Sequence, residues 1–218
     1  DAIVLYPETI LGNPLKSERV IRYFGNKNGV LVDEVNCSGR EYVISHSRSI
    51  HDTADQYLFF AYIDPVFNPA KILNFKERKF SSFYIGKGNL YTNPHYFDDA
   101  IEITRHWPSK KQQLAILLQN SQFFFTYDSW TNTNVEAILC GAIPVYLHNG
   151  PFTDDEIDSA EFGVIPRIKF NEEIRVDDDF LGNFEAQRIE LINRIKLVHF
   201  EWDSGVLNLI KNVKDKFY

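Results

Sequence analysis

At 218 residues the chain has room for one large α/β domain, or for one domain with part of another. Hydrophobic residues make up 44% and charged residues 24%, with 18 Phe and 11 Tyr, which suits a filled core and excludes a disordered chain. A net charge of −7 excludes a general nucleic-acid binder, which needs a basic face, but leaves room for a local phosphate site.

Residues 1–8, DAIVLYPE, read as a buried strand stopped by proline. ILGNPLKSE is turn-rich. In SERVIRYFGN, Val20, Ile21 and Phe24 recur at helical spacing, which predicts a helix ended by Gly25. GVLVDEV admits a short strand, and residues 41–47 and 56–64 predict two more. Residues 64–70 read as loop, and 65–79 as the hinge between domains. KFSSFYIGKG (79–88) predicts a strand running into a glycine-flanked lysine. Residues 100–108 predict a strand ended by Pro108, and 109–121 a helix capped by Ser109.

Residues 121–147 read as a buried strand, a polar loop, a short helix and a second buried strand. A surface helix or turn follows at 151–159. Two amphipathic helices are expected at 184–202 and 206–217, separated by Gly205. Strands alternating with helices from 80 to 147 imply βαβ units. The expected fold is therefore α/β: a Rossmann-like parallel sheet flanked by helices over 71–218, preceded by part of a second Rossmann-like domain over 1–70.

The chemistry gathers in residues 121–147. Asp128 closes the first strand there, and Glu136 follows eight residues later, in the expected first turn of the helix. Both then lie at the carboxyl edge of a parallel sheet, where open α/β sheets bind nucleotides. Glu136 can accept hydrogen bonds from the two hydroxyls of a ribose, because a carboxylate offers two acceptor oxygens. The bland reading of the same residue is a capping box with Thr133. The loop Ser129, Trp130, Thr131, Asn132 and Thr133 supplies small polar groups at a helix start that favours phosphate. For Asp128 the bland reading is a turn former.

Lys87 sits between Gly86 and Gly88 after a strand, so the backbone can approach a ligand closely and the lysine adds a cation for phosphate. An exposed turn lysine is its bland reading. Arg105 and His106 end the next strand and face the same edge in a parallel sheet. His46 and His51 lie in SHSRSIHD, which reads as solvated loop. The acidic run Asp177, Asp178, Asp179 reads the same way. No HExxH or GxSxG is present, so neither a metal nor a nucleophile elbow is expected.

Cys37 and Cys140 stand far apart, with Cys140 in the apolar run AILCGA. This predicts a reducing compartment and no disulfide framework. No apolar run approaches the roughly 20 residues of a membrane span, and no signal peptide is visible. A cytoplasmic location is expected, with peripheral attachment to the inner face of the membrane left open. The chain lacks Met and opens on Asp1, which suggests a piece of a longer protein.

The segment Asp128, seven residues, Glu136, then Ala137–Gly141 and Ile143-Pro144-Val145 resembles the nucleotide-sugar half of GT-B glycosyltransferases, particularly the retaining family-four type of bacterial polysaccharide synthesis. Their first acid is usually Glu, so Asp128 is a shortened variant. Their diphosphate-binding Arg and Lys correspond to Lys87 and Thr92, with Arg105 a further cation. Tyr6-Pro7-Glu8 through Gly12-Asn13-Pro14-Leu15 looks like the later part of their acceptor-side domain.

The resemblance implies transfer of a sugar from a nucleotide diphosphate sugar to the hydroxyl of a glycan or lipid-linked acceptor. It implies retention of configuration and no cofactor or required metal. Asp128 and Lys87 would be catalytic. Glu136, Gly86, Gly88, Ser129–Thr133 and Arg105 would bind substrate. Residues 1–70 would be part of the acceptor-side domain, and 71–218 the nucleotide-sugar domain. Two other readings stay open: a non-catalytic nucleotide-sugar-binding module, and a doubly wound α/β domain that binds protein partners.

Overall fold

The structure is a computed structural model describing residues 2–59, 62–95, 97–160 and 162–218. The chain divides into two compact units. The first comprises Asp1–Phe60, Ser159–Glu161 and Ile195–Tyr218; the second comprises Ala61–Asp158 and Phe162–Arg194. The boundary expected from the sequence lay at 70/71.

The first unit carries strands β1 (Ile3–Pro7), β2 (Arg19–Phe24), β3 (Tyr42–Ser45) and β4 (Gln56–Tyr57). They form one sheet in sequential order, and every pairing is parallel. The helix expected over SERVIRYF is β2. Its Val20 lies opposite Val4 and its Ile21 opposite Tyr42, so it is a central strand buried on both faces. Such strands read as continuous apolar runs, and spacing alone does not separate a short run from a helix.

Arg22 interrupts that run yet is fully buried. Its guanidinium donates to Ile10 O at 2.6 Å and Gly12 O at 2.7 Å, and its Nε to Glu41 Oε2 at 3.2 Å. These partners are what make a buried charge tolerable. GVLVDEV is irregular rather than a strand, tied down at Val35 by the Asn28 amide. Of residues 56–64 only 56–57 are strand, and residues 60 and 61 lie outside the described residues.

SHSRSIHD is packed rather than solvated. Ser45, Ser47 and Ile50 are buried. The His46 ring stands edge-on to Phe59 at 4.6 Å, and its Nδ1 shares a 3.2 Å hydrogen bond with the Tyr23 hydroxyl. Burial pushes the His46 pKa down to about 4.

The second unit carries β5 (Phe80–Tyr84), β6 (Ala100–Ile103), α1 (Lys111–Asn120), β7 (Ser121–Thr126), α2 (Asn132–Leu139), β8 (Ile143–Tyr146) and the short α3 (Asp154–Asp158). Its sheet order is β6-β5-β7-β8, and all pairings are parallel. Pro144 is accommodated in β8 because it pairs only with Phe124 on the β7 side, while its carbonyl accepts from Ile168 N. β6 stops at Ile103 rather than running to Pro108. Helix α1 is entered from Lys110, which makes no side-chain cap, so Ser109 is not the cap.

The last helix, α4 (Asp178–Phe217), runs unbroken for 40 residues where two helices were expected. Its first part belongs to the second unit and residues 195–217 to the first. Val213 packs there with Ile21, Tyr42 and Ile44 of the first sheet. That burial outweighs the roughly 1 kcal/mol cost of Gly205 in a helix interior. The acidic run starts α4 instead of forming a loop: Phe180 N donates to Asp177 Oδ1 at 2.9 Å, and Asp178 and Asp179 lie in the first turn, where negative charge suits the helix dipole.

Gly182 lies inside α4, and a Cβ there would meet nothing within 4 Å. Gly182→Ala is therefore expected to stabilise the protein by about 0.5–1 kcal/mol, read as a raised melting temperature. An unchanged melting temperature would place residue 182 before the helix.

Candidate functional site

Strand β5 sends its connection to β6 on one side, and its neighbour β7 sends its connection to β8 on the other. The two carboxyl ends therefore flank a topological switch point, the place where loops diverge and leave a crevice in open α/β sheets. Lys87 follows β5 and Asp128 follows β7, and they meet there. The Lys87 ammonium lies 3.6 Å from Asp128 Oδ1 and donates to Trp130 O at 3.1 Å. Lys87 N donates to Asp128 Oδ2 at 3.1 Å, and Trp130 N donates to Asp128 Oδ1 at 3.3 Å.

Asp128 is 5% exposed. Burial raises its pKa above the usual carboxylate range, while the Lys87 charge and the two N–H groups pull it back. Tyr84 and Tyr91 flank it, both raised first by their own burial and then by the Asp128 charge. At Tyr84 the charge of Arg105, exposed beyond β6, acts the other way. His106 is exposed, and its N–H donates to Thr104 Oγ1 at 3.3 Å.

Gly86 and Gly88 serve the chain itself. Gly86 has a positive φ of 54°, and a Cβ there would run into the Tyr84 ring and the Asp128 carboxylate. A Cβ on Gly88 would run into the Tyr127 side chain and carbonyl. The two glycines let the 86–90 turn lie directly on Tyr127 and Asp128, rather than leaving room for a ligand against their own Cα atoms.

The loop between β7 and α2 is braced from beneath. Ser129 Oγ donates to Asn149 O at 2.6 Å, and the Trp130 ring stacks on Phe152 at 4.4 Å. Thr131 is the N-cap of α2, its hydroxyl accepting from Thr133 N at 3.4 Å. Asn132 is exposed in the first turn and Thr133 half-buried. Glu136 therefore lies in the second turn, and no capping box with Thr133 forms.

Glu136 is half-buried, and its carboxylate accepts no hydrogen bond from a described residue. Burial raises its pKa to about 7; Lys111 lowers it and Asp64 raises it further. Lys111 and Asp64 are themselves joined at 3.3 Å. Asp128 and Glu136 thus have separate charged partners, one at the switch point and one between α2 and the start of α1.

The sequence reading missed Asn134, Tyr146 and Arg167. Asn134 is 1% exposed, and its amide donates to Asp128 O (3.1 Å), Ser129 O (3.0 Å) and the Tyr146 hydroxyl (2.9 Å). The Arg167 guanidinium lies 5.1 Å from the centre of the Tyr146 ring and pairs with Asp154 at 3.0 Å and with Asp158. The signal for Asn134 was its i, i+3, i+4 register with Ala137 and Ile138: a polar residue on the buried face of a short helix needs partners.

Cys140 is a buried free thiol, raised to about 12 chiefly by burial, and its Sγ donates to Phe67 O. Among the described residues no cluster of His, Cys, Asp and Glu could hold a metal ion, and no described helix is long and apolar enough to cross a membrane. No family model, curated protein or solved structure matches the chain.

Proposed function

We propose that the second unit binds a nucleotide diphosphate sugar and that the protein is a GT-B glycosyltransferase of the retaining family-four type. The sugar would go to a hydroxyl of a glycan or lipid-linked acceptor. The observation that carries this reading is the convergence of Lys87, Asp128 and the start of α2 at the switch point, with Glu136 one turn further in and without a hydrogen-bond donor among the described residues. A half-buried carboxylate without hydrogen bonds is costly, and ribose hydroxyls would satisfy it.

In this reading the diphosphate lies on the Lys87 ammonium and the N-terminus of α2. The bond from the anomeric carbon to the diphosphate oxygen breaks, with its electron pair leaving on the diphosphate, and the acceptor oxygen bonds to that carbon while its hydroxyl proton passes to the departing diphosphate oxygen. Lys87 and the helix terminus stabilise the leaving charge. Asp128 serves the donor sugar.

A thermal-shift screen with UDP, GDP, ADP and CMP and their sugars tests the reading. At one hundred times its Kd a bound nucleotide adds about 2.7 kcal/mol to stability and raises the melting temperature. No shift with any of them counts against the site. The engagement of Asp128 by Lys87 favours a second reading, a binding module without transfer. Consumption of the bound donor separates the two.

A further inference from the structure

The Asp128 carboxylate is held in the way an anionic ligand is held. Oδ2 takes the Lys87 N–H at 3.1 Å, Oδ1 takes the Trp130 N–H at 3.3 Å, and the Lys87 ammonium lies 3.6 Å from Oδ1. The Trp130 contact alone is an ordinary local turn. The two Lys87 contacts come from a loop 41 residues earlier in the chain, so local turn formation does not explain them. Two converging N–H groups and a cation are the elements of a phosphate seat.

The backbone of residue 128 is fixed independently of its carboxylate. Asp128 N donates to Thr126 Oγ1 at 3.1 Å, and Asp128 O accepts from the Thr126 hydroxyl and the Asn134 amide, each at 3.1 Å. Displacing the carboxylate would therefore leave these backbone hydrogen bonds of the loop intact. Burial disfavours the ionised carboxylate in that position in spite of its partners.

We propose that Asp128 is a built-in competitor: its carboxylate occupies the phosphate seat formed by Lys87 and Trp130, and a diphosphate enters by displacing it. This rests on the reading that a diphosphate binds at the switch point. Apparent affinity is then reduced to the fraction of molecules whose seat is open. The displaced carboxylate becomes available to the rest of the ligand only after the diphosphate has docked.

Asp128→Asn keeps the shape and removes the competing charge. Calorimetric titration with inorganic pyrophosphate should show the variant binding about tenfold more tightly than the wild type, the gain expected if the seat is open in one molecule in ten. Adding Lys87→Ala should abolish the gain. Equal or weaker binding by Asp128→Asn, or no binding to it, overturns the proposal.

A wild-type measurement removes any dependence on how the variant folds. The carboxyl carbon resonance of Asp128 should move when pyrophosphate saturates the protein, and a stationary resonance beside bound pyrophosphate overturns the proposal equally. The nucleotide-sugar reading fails on different grounds, namely UDP binding by the wild type that Lys87→Ala leaves untouched.

Discussion

Gly88→Ala is expected to cost about 3 kcal/mol or more and to lower the melting temperature of the second unit by on the order of 10 °C. The new Cβ would fall on Tyr127, against both its side chain and its carbonyl. Backbone atoms cannot rotate out of the way as a long side chain can. The turn is also pinned on both sides of the glycine: Gly88 N donates to Ile85 O at 2.8 Å, and Tyr91 N donates to Gly88 O at 3.0 Å. Relief therefore requires moving the 85–91 segment away from β7 and takes Lys87 out of reach of Asp128. The variant should lose phosphate binding together with stability. Gly39→Ala is the control, since a Cβ there meets nothing within 4 Å. Thermal melts of the two variants check the contrast, and a Gly88→Ala protein that melts with the wild type would show that the turn does not lie on Tyr127.

The second unit was more legible than the first, and the reason is physical. From β6 to β8 the strands are short segments separated by the helices α1 and α2, each with an apolar face, so period and length agree; between β5 and β6 the chain makes only the 86–90 turn and irregular backbone. Strand β2 is six residues long and carries a buried arginine among its apolar residues, and nothing local distinguishes so short a stretch from helix. Its partners, Glu41 and the carbonyls of Ile10 and Gly12, are distant loop groups that no window of sequence connects. Gly205 misled in the opposite sense, because its helix is held by contacts to the first sheet and not by propensity.

At the site the sequence reading put Asp128, Glu136 and a helix start at one sheet edge, with Lys87 a weaker candidate; in the structure Lys87 meets Asp128 there, while the charged neighbours of Glu136 are Lys111 and Asp64. The sequence did not reveal that Asp128 and the Trp130 carbonyl hold the Lys87 ammonium, nor that the glycines serve Tyr127 and Asp128. Those are matters of a few ångströms across two strands. The His46 segment was misread for the same reason: polar residues look solvated until the aromatic neighbours that bury them, Tyr23 and Phe59, are brought up by the fold.

Glu136→Gln should lower affinity for the nucleotide sugar by at least about a hundredfold, since two hydrogen bonds to a charged acceptor are worth roughly 1.5–3 kcal/mol each. The same substitution should stabilise the empty protein. Burial holds the Glu136 carboxyl at about 7, against an ordinary value of 4.5. Between those two pH values the folded state binds more protons than the unfolded state, so stability falls as pH rises and the full penalty is present above pH 7. A shift of that size corresponds to about 3 kcal/mol, and a neutral glutamine escapes it.

A capping or other structural carboxylate predicts the reverse sign, a loss of stability with no change in affinity. Ligand hydroxyls donate to the ionised form, so wild-type affinity should rise with pH through about 7. The glutamine variant should be flat over that range. A nucleotide diphosphate sugar is the right probe, because its two phosphates carry no proton that titrates there. Calorimetry across pH 5.5–8.5 with parallel thermal melts decides the matter. A destabilised Glu136→Gln protein that binds the donor as well as the wild type would remove the ribose role and, with it, the main support for glycosyl transfer.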